Sequence, residues 1–133
     1  MLRQVSEGLA AFYKALKDEM GVENQVTSFT SSDFGRSLQP SGSGSDHGWG
    51  NHQLLLGGAV LGGRVHGTFP NLSLRGPDDS GTRGTLIPST STEQLGATLA
   101  RWLGVAEADL PSVFLNLYSN LELFGKTDLG LMV

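Results

Sequence analysis

Cysteine is absent from the 133-residue chain. This absence excludes a disulfide framework, a thiol nucleophile and any metal site with cysteine ligands, so a metal must be held by His, Asp or Glu. Basic residues are also scarce, with nine Lys and Arg against thirteen Asp and Glu, and they form no cluster. The net charge of −4 provides no basic surface for nucleic acid or for an anionic membrane, and we expect neither partner.

Long apolar runs are missing too. No segment approaches the roughly 18 consecutive apolar residues that a membrane-spanning helix needs. The amino-terminal twenty residues lack the uninterrupted apolar centre of a signal peptide. We therefore expect the chain as written to stay in the cytoplasm. Its length and average composition are typical of a single globular domain, residues 1–133.

Two helices are predicted from periodicity. In the first, which ends at Gly21, apolar residues recur every three or four positions: Leu2, Val5, Leu9, Phe12, Leu16 and Met20. The second covers residues 92–103, where Ser91 with Gln94, or Thr90 with Glu93, fits a capping box. A further helical turn is expected at residues 111–115.

Apolar, β-favouring runs predict short strands at residues 25–30, 53–56 and 62–66. The first strand would follow the first helix directly, as half of an α/β crossover unit, and would place residues 31–33 at its carboxyl end, where open α/β sheets bind ligands. Residues 35–50 contain Pro40 and five glycines, so we expect a long irregular loop there. A second irregular segment is expected at residues 67–88.

Four potential metal ligands lie in or beside the first loop, namely Asp33, Asp46, His47 and His52. Imidazoles and carboxylates together suit a divalent metal, with zinc as the first expectation and Mn, Mg or Ca as alternatives. The alternative is that Asp46 caps a turn and that both histidines are surface residues. Asp46 could also orient His47 by a hydrogen bond instead of ligating.

Two further residues are candidates for catalysis. The Ser32 hydroxyl would be activated beside a metal, although a local hydrogen bond at the strand end is the commoner role of such a residue. The Arg36 guanidinium could bind two oxygens of a phosphate or sulfate, or it could form an ion pair with Asp33.

The runs SSDFGRS, GSDHGWGNH and LLLGGAVLGGRVHGTFP, followed by STSTEQLGATLARWLGV, resemble the carboxy-terminal part of a family of exported bacterial proteins known as domain of unknown function 1501. This family is placed in the alkaline phosphatase and sulfatase superfamily. Its members are longer, carry a twin-arginine export signal and have an upstream Asp-Thr-His motif. The resemblance therefore implies that this chain corresponds to a truncated, alkaline-phosphatase-like carboxy-terminal domain whose parent is exported to the periplasm.

The resemblance also implies roles for single residues. Asp33 is similar to the superfamily carboxylate that binds the second metal, His47 to a metal-site histidine, and His52 to the last ligand before a strand. The implied fold class is α/β, a partial three-layer alkaline-phosphatase-like sheet with flanking helices and long loops. Its open faces would be completed by self-association.

Two functions follow as hypotheses. In the first, the chain hydrolyses a small-molecule phosphate or sulfate ester with a metal-bound hydroxide. In the second, it is a non-catalytic piece that self-associates. We expect a homo-oligomer in either case.

Overall fold

The structure, a computed structural model, describes residues 2–133. Its contacts divide the chain into two compact units. Unit 1 contains the described residues up to Thr30, with Gln53–Arg64 and Leu131–Val133. Unit 2 contains Ser31–His52 and Val65–Gly130. The single domain expected over residues 1–133 stays a prediction, because division by contacts does not show separate folding.

The amino-terminal helix of unit 1 confirms the apolar periodicity. Helix α1, Leu2–Lys14, continues without a break as a π-helical segment, Ala15–Met20. It ends at Gly21, whose φ of +64° is the left-handed conformation that favours glycine. Of residues 2–20, only Leu16 is buried. Most of the apolar face that the periodicity predicts is therefore exposed.

Unit 1 has a two-stranded sheet. Strand β1, Thr27–Phe29, pairs with Leu55–Gly57, which is the fourth strand of the chain, β4. The pairing is antiparallel, so the prediction of a crossover unit is wrong for these strands. A Cβ atom at Gly57 would lie 2.7 Å from the Val26 carbonyl oxygen, so only glycine allows this approach.

The third predicted strand, at residues 62–66, is also wrong. Those residues adopt no strand, and nearby only Val60 forms an isolated bridge, with Met132. The segment has two glycines among five residues, and Gly63 has a φ of +72°, which a strand does not accommodate.

Unit 2 begins with a β-hairpin where an irregular loop was predicted, so that prediction is wrong. Strand β2, Gly35–Ser41, pairs antiparallel with β3, Gly44–Gly48. Glycine makes the hairpin possible: Gly42 occupies the turn with a φ of +56°, and Gly48 lies against the backbone of Arg36. Pro40 is accommodated beside a shift of register between Arg36 and Pro40.

The segment from residue 67 to residue 88 is irregular, as predicted, but it is ordered by polar contacts. Asp79 accepts hydrogen bonds from four backbone N–H groups, and Asp79 and Leu86 form an isolated bridge. The backbone of residues 83–86 then bonds to β2 and to Gly50.

The remainder of unit 2 is helical. Helix α2, Thr92–Trp102, begins at a capping box between Ser91 and Gln94, which confirms that prediction. Three short helices follow: α3, Leu110–Val113; α4, Leu115–Ser119; and α5, Leu121–Phe124.

Two polar side chains of α2 tie this helical part together. The buried Gln94 amide donates to the carbonyls of Phe124 and Lys126. Arg101 bonds Glu107, Thr127 and the Tyr118 hydroxyl. The Arg101 guanidinium holds the pKa of Glu107 below its usual range. The architecture is thus mixed α/β, with small antiparallel sheets and helices.

Candidate functional site

The β2–β3 hairpin places two of the predicted site residues side by side. Arg36 and His47 are direct partners across the strands, and both are exposed. Because partners in register share one face of a sheet, the guanidinium and the imidazole lie on the same face. One N–H of Arg36 donates to the Ser45 carbonyl at 2.9 Å, which steadies the side chain.

Phe34 links these two side chains. The His47 ring stacks on the Phe34 ring with centroids 4.1 Å apart and an angle of 22° between the planes. The Arg36 guanidinium carbon lies 5.1 Å from the same centroid, within the range of a cation–π contact. The ring therefore positions two groups that can bind an anion.

The neighbouring carboxylate, Asp46, is engaged in an ion pair. Its Oδ2 lies 2.9 Å from Nη1 of Arg83, and both side chains are about half exposed. Arg83 also donates to the Pro40 carbonyl at 2.9 Å. Asp46 is thus paired with Arg83, and the backbone at Arg83 is itself hydrogen-bonded to β2.

Ser32 and Asp33 lie in the exposed turn that leads into β2. The Ser32 hydroxyl donates to the Phe34 carbonyl at 2.8 Å, the local arrangement that competes with a role as nucleophile. Asn51 donates to the same carbonyl at 3.0 Å. An ion pair with Asp33 was the alternative role predicted for Arg36. Within residues 2–133, no ion pair joins these two side chains.

His52 follows the hairpin and is exposed. Its ring is tilted against that of Phe69, with centroids 5.3 Å apart. His47 and His52 therefore each contact a different aromatic ring.

The described conformation does not fit a bound metal ion. Within residues 2–133, no three His, Asp or Glu side chains come together as a group that could hold one. Asp46 is paired with Arg83, and His47 is stacked on Phe34. The four predicted ligands are close in sequence, but their side chains do not form one cluster in the structure.

Sequence reasoning missed three residues that shape this region: Phe34, Asp79 and Arg83. Phe34 sits between Asp33 and Arg36 and had no assigned role. Asp79 did carry a signal, since an Asp two residues before a glycine is typical of a side chain that closes a turn. Nothing local indicates that Arg83 would reach a carboxylate 37 positions earlier.

The pKa of Asp79 is shifted by the backbone around it. The Arg75 amide, followed by those of Gly84, Gly81 and Thr85, holds its pKa below the usual 3.8. Amide hydrogen bonds favour the charged carboxylate, so Asp79 is ionised at neutral pH.

A protein-family model described as "Protein of unknown function (DUF1501)" matches residues 1–113. The chain belongs to this family. The match includes every candidate site residue of this DUF1501 protein. No curated protein matches the chain, and no solved structure does. No helix within residues 2–133 is long and apolar enough to cross a membrane.

Proposed function

We propose that this DUF1501 protein takes part in the metal-dependent hydrolysis of small phosphate or sulfate esters, and that the β2–β3 hairpin binds the ester anion. The observation that carries the proposal is the cross-strand pair of Arg36 and His47, exposed on one face and positioned by Phe34. The proposal adopts the resemblance of the family to the alkaline phosphatase and sulfatase superfamily.

The hairpin supports anion binding on chemical grounds. A guanidinium has five N–H donors in a planar fork that matches two oxygens of a phosphate or sulfate. The contact with the Ser45 carbonyl uses one terminal nitrogen of Arg36 and leaves donors for a ligand. His47 adds an imidazole that can donate a hydrogen bond to a third oxygen.

The metal part of the proposal rests on residue type. Asp33, Asp46, His47 and His52 offer two carboxylates and two imidazoles, the donors that zinc prefers when cysteine is absent. Since these residues do not converge in the described conformation, we assign no catalytic step to a metal. The steps assigned to the chain are binding and orientation of the anion by Arg36 and His47.

The first experiment measures metal content per chain by plasma mass spectrometry on protein purified without chelator. Hydrolysis of p-nitrophenyl phosphate and p-nitrophenyl sulfate is measured on the same samples. We expect a divalent ion and ester hydrolysis in the wild type, and the loss of both in His47→Ala and His52→Ala. His66→Ala, which removes the third histidine, is the matched control and is expected to keep both.

Separate results test the anion-binding role. Arg36→Ala is expected to raise KM for the ester by about tenfold, because it removes a charge-assisted hydrogen bond. Equal hydrolysis in the wild type and in all three variants, His47→Ala, His52→Ala and Arg36→Ala, would contradict the proposed function.

Self-association is a second candidate function, and the surface of unit 1 favours it. Large apolar side chains remain exposed on the first helix, on β1 and just before β4: Leu2, Val5, Phe12, Met20, Phe29 and Leu54. Exposed apolar surface of this kind marks association sites. The two-stranded sheet of unit 1 also has unpaired outer edges in the described part of the chain, which can add a strand from a second copy.

Sedimentation at micromolar concentration tests this candidate. We expect the wild type to be a homo-oligomer and Phe12→Lys to be a monomer, because a charge in an apolar interface is costly. Gln4→Lys adds the same charge to the polar side of the helix and should leave the oligomer intact. A monomeric wild type would contradict self-association.

A further inference from the structure

The β2–β3 hairpin has an irregular stretch directly beside the pair of Arg36 and His47. After this pair the register shifts, and pairing resumes at Pro40. Residues 37–39 of β2 therefore have only Asp46 opposite them on β3. A bulge of this kind interrupts the regular cross-strand hydrogen bonds, so other contacts must keep the two strands in register there.

The segment that carries Arg83 supplies backbone contacts at the bulge. The Leu38 amide donates to the Gly84 carbonyl at 3.2 Å. The next amide, that of Gln39, donates to the Arg83 carbonyl at 3.0 Å. A Cβ atom at Gly84 would lie 2.5 Å from the Leu38 Cβ, so the segment is packed closely on β2. Two amides inside the bulge are thus satisfied from outside the hairpin.

The Arg83 side chain connects the two strands at the same place. Its Nη1 lies 2.9 Å from Oδ2 of Asp46, on β3. Its Nη2 donates to the Pro40 carbonyl, on β2, at 2.9 Å. One guanidinium therefore bridges the strands across the bulge, one position away from His47.

Asp79 fixes the backbone from which Arg83 extends. Its carboxylate accepts hydrogen bonds from the amides of Gly84, at 2.9 Å, and Thr85, at 3.0 Å, which directly follow Arg83. Because this backbone is already ordered, the arginine gives up less conformational entropy in forming its bridge than it would from a free loop.

We propose that Arg83 is a positioning residue for the anion site: its bridge across the bulge holds Arg36 and His47 on one face of the hairpin. The inference rests on the proposed function, because it concerns the same anion site. Both side chains of the pair are exposed, so their spacing follows the register of the two strands. A slip of one residue would turn His47 to the opposite face, away from Arg36.

The test measures binding of inorganic sulfate and of inorganic phosphate to the full chain by NMR titration. A chelator is present, so that only the chain's own groups bind the anion. Arg83→Gln is expected to weaken binding by about two- to fivefold more than its control does, the range of a half-exposed ion pair. The control is Arg75→Gln, which removes the same charge from an exposed side chain of the preceding turn.

Asp46→Ala separates positioning from simple electrostatics. By charge alone, loss of a carboxylate beside the site would tighten the binding of an anion. If the bridge positions the pair, the variant instead weakens binding, because Arg83 loses its contact with β3. The amide signals of α2 report whether the rest of unit 2 is unchanged. Should Asp46→Ala not fold, Asp46→Asn removes the same charge and is expected not to tighten binding.

A second measurement follows the arrangement of the site without any anion. The His47 and Phe34 rings are stacked with centroids 4.1 Å apart, so their ring protons should give nuclear Overhauser effects. These effects are expected in the wild type and in Arg75→Gln, and to weaken in Arg83→Gln. Unchanged effects in Arg83→Gln would contradict the positioning role, because a change of charge does not by itself move the rings.

The outcomes distinguish two failures. A wild type that binds sulfate or phosphate, with equal affinity in Arg83→Gln and Arg75→Gln or with tighter binding by Asp46→Ala, overturns the positioning role and leaves the proposed function standing. No binding of either anion by the wild type overturns the anion-binding role of the hairpin, and the role of Arg83 with it.

Discussion

The two units are stabilised in different ways. In unit 1, an amphipathic helix and a two-stranded sheet leave much of their apolar surface exposed, and Leu2 is 84% accessible. In unit 2, the buried Gln94 side chain, which is 4% accessible, donates to the carbonyls of Phe124, at the end of α5, and of Lys126, just after it. Unit 2 also contains Leu110 and Leu117, which are fully buried.

The difference shows what each kind of pattern achieves. An amphipathic pattern stabilises a helix only as far as its apolar face is covered, since most helix stability in proteins comes from tertiary packing. Hydrogen bonds from side chains satisfy the backbone N–H and C=O groups of loops, which lack the backbone partners that helices and sheets provide. Much of the apolar surface of unit 1 is therefore left exposed, whereas unit 2 is stabilised by its own buried leucines and by side-chain hydrogen bonds.

The largest expected contrast is between the same substitution in the two units. Leu110→Ala should lower the free energy of unfolding by about 2–5 kcal/mol, because it opens a cavity in the core of unit 2. Leu2→Ala should change it by less than about 0.5 kcal/mol, because that side chain is exposed. Urea titration of both variants checks this, and a large effect of Leu2→Ala would show that its apolar face is covered in solution.

Removal of a buried amide should have a smaller effect. Gln94→Ala leaves the Phe124 and Lys126 carbonyls without their donor and removes the capping box, at a cost of about 2–3 kcal/mol. Gln4→Ala, on the exposed surface of the first helix, is the control and should cost less than about 0.5 kcal/mol. Equal free energies of unfolding for the two variants would contradict the stabilising role of the buried Gln94 amide in unit 2.

The smallest expected effect is an acid-sensitive loosening of unit 2. Because the pKa of Asp79 is lowered in the folded chain, its stabilisation is fully present above its usual value of 3.8 and is lost as the pH falls through the lowered value. NMR shifts of the Gly81 and Gly84 amides should follow this change below pH 3.8, and Asp79→Asn should abolish it. The Thr30 amide of unit 1, which bonds the Leu54 carbonyl, should not follow the same titration.

The elements that could be predicted were those with strong local signals. The periodicity of residues 2–20, the left-handed stop at Gly21 and the capping box at Ser91 were all confirmed. The sequence does not predict the β2–β3 hairpin, because glycine and proline commonly interrupt regular secondary structure. In the folded chain, Gly42 makes the turn, and Pro40 lies beside a register shift.

Prediction of the candidate site was limited by distance along the chain. The residue types between Ser32 and His52 predicted a site in this segment. Within it, the structure places Arg36 and His47 side by side. The ion pair of Asp46 with Arg83 spans 37 positions and leaves no local trace in the sequence. The ligand roles of Asp33, Asp46, His47 and His52 stay predictions.

The sequence by itself determined the two longer helices, the absence of cysteine chemistry and the donor types available to a ligand, because these depend on residues that are neighbours or on composition alone. Only the tertiary structure decided that β1 pairs antiparallel with β4, that a hairpin replaces a loop, and that Asp46 meets Arg83. Such contacts join residues far apart in the chain, and their free energy depends on a backbone path that local preferences do not specify.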